Sequence, residues 1–568
     1  MKRFLFALTA ICLVSCGQSD VIVSETPPPP PPKVEVTRVA APNDFMDNQP
    51  KLVVGITIDQ MRLDYLYRFW NDFDEGGFKR LAGEGFLCGN HHYDYAPTYT
   101  GPGHASIFTG TTPAVHGIIS NDWFDKTTGE MVYCVKDERY SGVGTASKGG
   151  SMSPHRMLTT TLSDELRLSS NYASKVIGIS MKDRGSILPA GHNPTGAYWF
   201  IGKDEGNWVT STYYADALPQ WVNDFNSNGL AEQYVSSGWQ LYKDEAVYNE
   251  SMVDNNPYEA PFKGQFKATF PYDFTDITED RYDLIKATPH GSTLSVDFAM
   301  EAIKAEGMGE DDITDLLALS FSSTDYVGHQ FAPASREVQD CYLRLDADLK
   351  RLLDFLDSSI GEGEYLIFLT ADHGGAQNPG YMKKKNIPAG YWKPQVMLDE
   401  VDAMLNSTYG TGAWVHNYTN DQFFLNKELI EERKLDLVEV CEKITTVCMK
   451  QEGVYTALST VDFLTSDFEE LPLNTIQRGI HPKRSGEVVV VPAVGWISNG
   501  YTGTTHGSPF SYDTHVPLLF FGKGIPHGET ARRTTVRDIA PTVSQLIRIT
   551  QPNGTTGNPV YEIFNSQE

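Results

Sequence analysis

Long apolar runs, cysteine and positive charge are all in short supply in this chain, and each shortage narrows what it can be. The one apolar leader, Phe4 to Val14, is too short to span a bilayer, and nothing after it reads as a transmembrane helix. Lysine and arginine number 46 against 73 aspartates and glutamates, a net charge of −27, which argues against nucleic acid and anionic membrane as generic partners. An anionic substrate then has to be attracted by local positive charge, which metal ions supply. Seven cysteines in 568 residues are too few for a disulfide scaffold. No internal repeat is visible.

What is present begins with an export signature. Lys2 and Arg3 precede the short apolar segment, and Leu13-Val14-Ser15-Cys16 resembles a bacterial lipobox, implying cleavage before Cys16 and acylation of that cysteine. Residues 1–15 are read as a signal peptide and 16–48 as a lipid-anchored linker stiffened by the six prolines Pro27 to Pro32. The expected location is the periplasm or the outer membrane, with membrane contact only through the anchor. Cys12 leaves with the signal and Cys16 carries lipid, so Cys88, Cys134, Cys341, Cys441 and Cys448 remain. An odd count leaves at least one thiol free or paired between chains, and Cys441 with Cys448 is the candidate local disulfide.

The rest, residues 49–568, is long enough for a large catalytic domain, and 40% hydrophobic content supports a substantial core. Leu52 to Ile58, Lys175 to Ser180, Leu316 to Phe321, Tyr365 to Thr370 and Val516 to Phe521 read as buried strands. Ser335 to Leu356 and Thr535 to Ile549 carry apolar residues at helical spacing. The alternation predicts an α/β fold, a three-layer sandwich around a mostly parallel central sheet, with functional residues at the carboxyl ends of strands. Segments near 193–282 and 377–498 interrupt the pattern and are expected to be inserted caps over the sheet.

The strand Tyr365 to Thr370 runs directly into Ala371-Asp372-His373-Gly374-Gly375, a carboxylate and an imidazole delivered together at a buried strand end. Asp59 closes the first strand. Asp325 and His329 are four apart, so one helical turn places both on one face, where they can chelate one ion. His506 lies in a Gly-rich stretch, with His515 as a rival. Thr98-Tyr-Thr-Gly-Pro-Gly-His-Ala-Ser contains a hydroxyl nucleophile candidate: Pro102 suits a first helical turn and leaves Thr100 at or just before the helix start, as an N-cap or beside unpaired N–H groups that favour an alkoxide and a phosphate. On these grounds alone Thr98 and Ser106 stay open as alternatives.

Taken in order, Thr100-Gly-Pro-Gly-His-Ala-Ser, Thr109-Gly, Pro113, His116-Gly, Asn121, Asp325-x-x-x-His329, Ala371-Asp-His-Gly and His506-Gly resemble the alkaline phosphatase superfamily. Within it, the chain is most similar to the periplasmic phosphate-irrepressible alkaline phosphatases with a threonine nucleophile. The resemblance spans about Leu52 to Ile549. It implies an alkaline-phosphatase-like fold and two Zn²⁺, one held by Asp59, Asp372 and His373 and activating Thr100, the other by Asp325, His329 and His506. It also makes Asn121, Lys182 and Arg184 the phosphate contacts. In extended chain, residues two apart point the same way, so Lys182 and Arg184 after the second strand are expected to face the site together.

The implied activity is hydrolysis of small phosphate monoesters through a phosphothreonine intermediate. Two Zn²⁺ against Asp59, Asp325 and Asp372 leave one positive charge, which a Thr100 alkoxide cancels. Lys182 and Arg184 then match the two charges of a monoester, and a diester monoanion needs them less. The resemblance keeps two alternatives: a nucleotide pyrophosphatase/phosphodiesterase-like diester hydrolase, whose relatives typically lack the Lys-x-Arg pair, and a non-enzymatic surface-binding lipoprotein. Residues 97 to 104 lack the C/S-x-P-x-R pattern of sulfatases. The sequence leaves the oligomeric state and the natural substrate open.

Overall fold

The structure is a computed structural model that describes residues 49–565. The signal peptide, Cys16 and the proline linker lie outside the described residues. Ten strands form the main sheet. In chain order they are β1 (Leu52–Ile58), β2 (Phe86–Cys88), β3 (Gly142–Val143), β4 (Val176–Ser180), β5 (Gly196–Ile201), β6 (Asn207–Ser211), β7 (Asp315–Phe321), β8 (Tyr365–Thr370), β9 (Leu518–Gly522) and β10 (Gly528–Thr530). Across the sheet the order is β10-β2-β9-β8-β1-β7-β4-β5-β6-β3.

The middle five, β8-β1-β7-β4-β5, are parallel. Every residue of β1, β7 and β8 is buried, as strands covered by helices on both faces require. Register decides where the chemistry falls. Thr57 pairs with both Ser320 and Thr370, and Ser320 pairs with Ser180. Four strands therefore end side by side, and the loops after them open at one edge of the sheet. The strand near Val516 to Phe521 is β9, which runs antiparallel to β8.

Four helices position the site: α1 (Thr100–Thr109), α2 (Asp183–Ala190), α3 (Ser323–Phe331) and α4 (Arg336–Leu356). The α4 helix starts where Ser335 Oγ accepts the Val338 N–H at 3.1 Å, an N-cap, and buries its leucine face in the core it shares with the sheet.

The two expected insertions have more structure than their composition suggested. Residues 193–282 begin with β5 and β6, so their first part belongs to the main sheet. Farther on, Trp239 packs against Phe270, Tyr272 and the α3 terminus at Phe331. Residues 377–498 carry their own four-stranded sheet, built from Val415–Thr419, Gln422–Leu425, Val454–Ser459 and Val488–Pro492, with a separate core around Trp414, Ile444 and Val490. The proposed Cys441–Cys448 disulfide is not formed: all five described cysteines are buried free thiols. Both residues lie on the helix Leu437–Cys448, and seven residues of helix separate their Cα atoms by roughly 10 Å, beyond disulfide reach.

Candidate metal centre and active site

Asp59 extends β1 by one residue, its N–H bonded to Phe321 O at 3.0 Å. Asp372 and His373 follow β8 after a single alanine, and Asp325 and His329 lie on α3. Flush strand ends bring these groups together. His373 Nε2 is 3.5 Å from Asp59 Oδ1 and 3.6 Å from Asp372 Oδ2. His506 Nε2 is 3.6 Å from Asp325 Oδ1, and His329 Nε2 is 3.1 Å from the same oxygen. The His373 and His506 rings stack at 3.5 Å. Two compact donor groups result, Asp59–Asp372–His373 and Asp325–His373–His506. His373 belongs to both, and His329 joins the second through Asp325.

These residues suit a metal on their own chemistry. Asp59 Oδ1, Asp372 Oδ2 and His373 Nε2 are buried without a hydrogen-bond partner, and such groups are costly unless something binds them. Donors on one tetrahedral zinc sit about 3.3 Å apart, given bond lengths of about 2.0–2.1 Å. The separations here are close to that. All three imidazoles are fixed by their other nitrogen: Nδ1 of His329, His373 and His506 bonds the carbonyls of Thr504, Gly374 and Thr98 at 2.8, 2.9 and 2.7 Å. Each must donate there, leaving the Nε2 lone pair aimed at the cluster.

Charge tells the same story. Lys182 Nζ lies 2.7 Å from Asp59 Oδ2 and 2.6 Å from Asp325 Oδ2, one ammonium among three buried carboxylates. Burial opposes its charge, but Asp325 and Asp59 outweigh that and raise its pKa. Burial likewise opposes ionisation of Asp325, yet His329 and Lys182 hold it well below the usual range; His373 and His104 do the same for Asp372. Asp59 is pushed well above that range, by burial first and then by repulsion from Asp325 and Asp372. Three crowded carboxylates with one cation cannot all ionise. Bound cations would discharge that conflict.

Thr100 is the first residue of α1, with Tyr99 as the N-cap, so Thr100 is not itself the cap. Its Oγ1 is 3.5 Å from Lys182 Nζ. The alternatives are engaged elsewhere: Thr98 Oγ1 donates to Ser508 O at 3.0 Å, and Ser106 Oγ bonds His116 Nε2 at 2.9 Å. His515 stacks on His92 at 4.2 Å and bonds Gly89 O. Asn121 stands beside Thr100, its Oδ1 accepting the N–H of the next residue, Gly101, at 2.8 Å.

The extended-chain argument for Lys182 and Arg184 does not hold. Lys182 is the extended residue before α2, and Arg184 is already helical. Lys182 turns to the carboxylates, whereas Arg184 Nη1 donates to Tyr133 OH at 3.0 Å, and that hydroxyl donates to Asp183. Two contributors escaped the sequence reading. Gln60 directly follows Asp59. His104, four residues after Thr100 on α1, has Nδ1 2.9 Å from Thr100 O and 3.3 Å from Asp372 Oδ2, with Nε2 on Ser320 Oγ at 2.8 Å. Its helical spacing from Thr100 was the available signal.

A mostly parallel sheet that gathers carboxylates, imidazoles and a helix-terminal hydroxyl at one edge defines a metal-dependent hydrolase of the alkaline phosphatase type. The chain belongs to the type I phosphodiesterase / nucleotide pyrophosphatase family of that superfamily, which matches residues 53–516. It is 44% identical to alkaline phosphatase PafA of Elizabethkingia meningoseptica, over 91% of this chain and 95% of that one. It is 42% identical to alkaline phosphatase PhoV of Synechococcus elongatus, over 91% and 93%. The solved structure of wild-type PafA superposes with a TM-score of 0.86, covering 92% of this chain and all of the other at 42% identity. A PafA variant with a threonine, an asparagine, a lysine and an arginine substituted gives 0.87 at the same coverage and identity. Murine ectonucleotide pyrophosphatase / phosphodiesterase 5 gives 0.52 at 15% identity, over 91% and 99%, a likeness of fold alone.

Proposed function

We propose that this protein hydrolyses phosphate monoesters with Thr100 as the nucleophile, at a centre that binds two zinc ions. Asp59, Asp372 and His373 would hold one ion and Asp325, His329 and His506 the other. Bound there, the ions would supply the positive charge that acidifies a hydroxyl and stabilises a departing alkoxide. The observation that carries the reading is Thr100 Oγ1, on the first turn of a helix, 3.5 Å from the buried Lys182 ammonium.

The protein's own groups divide the work. Thr100 Oγ attacks phosphorus in line with the ester oxygen; the P–O ester bond breaks and a phosphothreonine forms. Water then attacks that phosphorus, the bond to Thr100 Oγ breaks, and inorganic phosphate leaves. Lys182 Nζ favours the ionised form of Thr100 and the charge growing on the phosphoryl oxygens. The helix start adds a partial positive charge beside Thr100, the first residue of α1. Asn121 is anchored through Oδ1, and its amide NH₂ has no partner among the described residues, so it can donate to the phosphoryl group. The four residue types replaced in the PafA variant occur here, in the same chain order, as Thr100, Asn121, Lys182 and Arg184, which supports these assignments.

Anchoring at Cys16 and action in the periplasm belong to the same proposal, supported by the amino-terminal sequence. No helix among the described residues is long and apolar enough to cross a membrane. The test is kcat/KM on a monoester and a diester with one leaving group, using zinc-loaded protein and Thr100→Ala. Monoester preference lost in Thr100→Ala, with zinc retained, supports the proposal. A diester preference, or turnover that survives in Thr100→Ala, overturns it.

A further inference from the structure

Gln60 holds the two halves of the centre at a fixed spacing. It is buried, 3% exposed, and its backbone sits in the left-handed region at φ +64°, uncommon for any residue but glycine. That conformation turns its N–H back onto Asp372 Oδ1, at 3.2 Å, while the side chain extends to donate Nε2–H to Asp325 Oδ1 at 2.6 Å. One residue thus grips a carboxylate from each donor group. Held this way, Asp372 keeps Oδ2 free to face His373.

The loops around it are shaped to admit that amide. Gly328 lies between Asp325 and His329 on α3, and a Cβ there would sit 1.9 Å from Gln60 Oε1. Gly375 closes the Asp372-His373 loop, and a Cβ there would sit 3.1 Å from Gln60 Cδ and Oε1. The side chain is lodged between the two ligand-bearing segments, each of which has a glycine where it passes. Backbone strain at a functional site persists when surrounding contacts over-determine it, and two carboxylates with two glycines do so here.

Resting on the two-metal reading, we infer that Gln60 is a positioning residue: its side-chain amide orients Asp325 for the second ion, and its backbone N–H orients Asp372 for the first. The two halves of Gln60 are separable by mutation. Gln60→Met keeps the length and the backbone N–H but loses the donor to Asp325. Gln60→Asn keeps an amide and tolerates the left-handed backbone, yet is one methylene too short to span both segments.

The experiment follows zinc release from loaded protein into excess chelator, with metal counted per chain and cobalt-loaded protein read by its visible spectrum. In both variants one zinc should leave about 10–100 times faster than in wild type while the other leaves at nearly the wild-type rate. Both ions leaving at wild-type rates, from variants with native circular dichroism and cooperative melting, would overturn the inference. Equal acceleration of both ions would also overturn it, by reducing Gln60 to a packing role. If Gln60→Met does not fold, Gln60→Asn decides by the same criteria. Wild-type protein that binds fewer than two zinc ions would instead overturn the two-metal reading, and this inference with it.

Discussion

Lys182 Nζ lies 2.6 Å from Asp325 Oδ2 with both side chains buried, and it reaches Asp59 Oδ2 at 2.7 Å. One ammonium therefore bridges a carboxylate from each donor group and still stands within 3.5 Å of the Thr100 hydroxyl. Replacing it leaves two buried carboxylates without their cation. Lys182→Met should destabilise metal-free protein by about 3–5 kcal/mol, the cost of stripping one partner from a buried ion pair. Zinc should restore much of that loss. On loaded enzyme, kcat/KM for a monoester should fall about 10²–10³-fold and for a diester much less. Calorimetry with and without zinc, beside steady-state kinetics, checks both parts.

Gly103 tests how tightly α1, which carries the proposed nucleophile, is seated. A Cβ at this position would lie 2.5 Å from Asp372 O and 2.7 Å from Asp372 Cβ, so α1 can approach the Asp372-His373 loop only with glycine here. Gly103→Ala adds a good helix former, which by itself favours the helix. The clash is with backbone and cannot be relieved by a rotamer, so α1 must move off. A displacement near 1 Å costs about 10² in rate. We expect kcat to drop by that order while the melting temperature changes little. A large fall in melting temperature with unchanged kcat would contradict the seating argument.

Much of this arrangement is legible in the chain because it follows from strand ends. An apolar run that stops at Asp59 or at Asp372-His373 announces a buried strand delivering polar groups, and parallel register then gathers them. Asp325 and His329 were readable from helical spacing. Lys182 and Arg184 were misread in geometry, because the chain turns from strand to helix between them and alternation fails at such a boundary. Gln60 was invisible since its role depends on a left-handed backbone, and glutamine carries no propensity that signals one. The sheet within 377–498 escaped notice because its strands pair over long sequence separations, Gln422 with Val489 for example.

The thiols give a direct check on the fold. Cys88, Cys134, Cys341, Cys441 and Cys448 are all buried and free, and burial pushes the Cys88, Cys441 and Cys448 thiols up to about 12. Neutral, inaccessible thiols do not attack reagents. A thiol-specific dye should label none of the five in native protein and all five after unfolding, and reductant should leave the melting temperature unchanged. A melting temperature that falls with reductant would indicate a disulfide that the fold excludes.

Away from the proposed metal ligands, Glu259 and Glu337 form a buried carboxyl pair that sets a pH dependence of stability. Burial, then the negative charge of Glu337, pushes Glu259 up to about 9; burial pushes Glu337 up to about 8, although Tyr272 OH donates to it at 2.5 Å. Both values lie above those of an unfolded glutamate, so between about pH 4.5 and pH 8–9 the folded state holds more protons than the unfolded state. Stability must then fall as pH rises through that window and level off above it. Glu259→Gln removes one of the two groups and can keep its bond from Asn256. The variant should lose less stability than wild type between pH 5 and pH 9, and it should melt several degrees higher at pH 9. Melting curves across that range in buffers of equal ionic strength decide the point. Parallel wild-type and variant profiles would mean that the pair shares its charge with solvent or a cation, not with a proton.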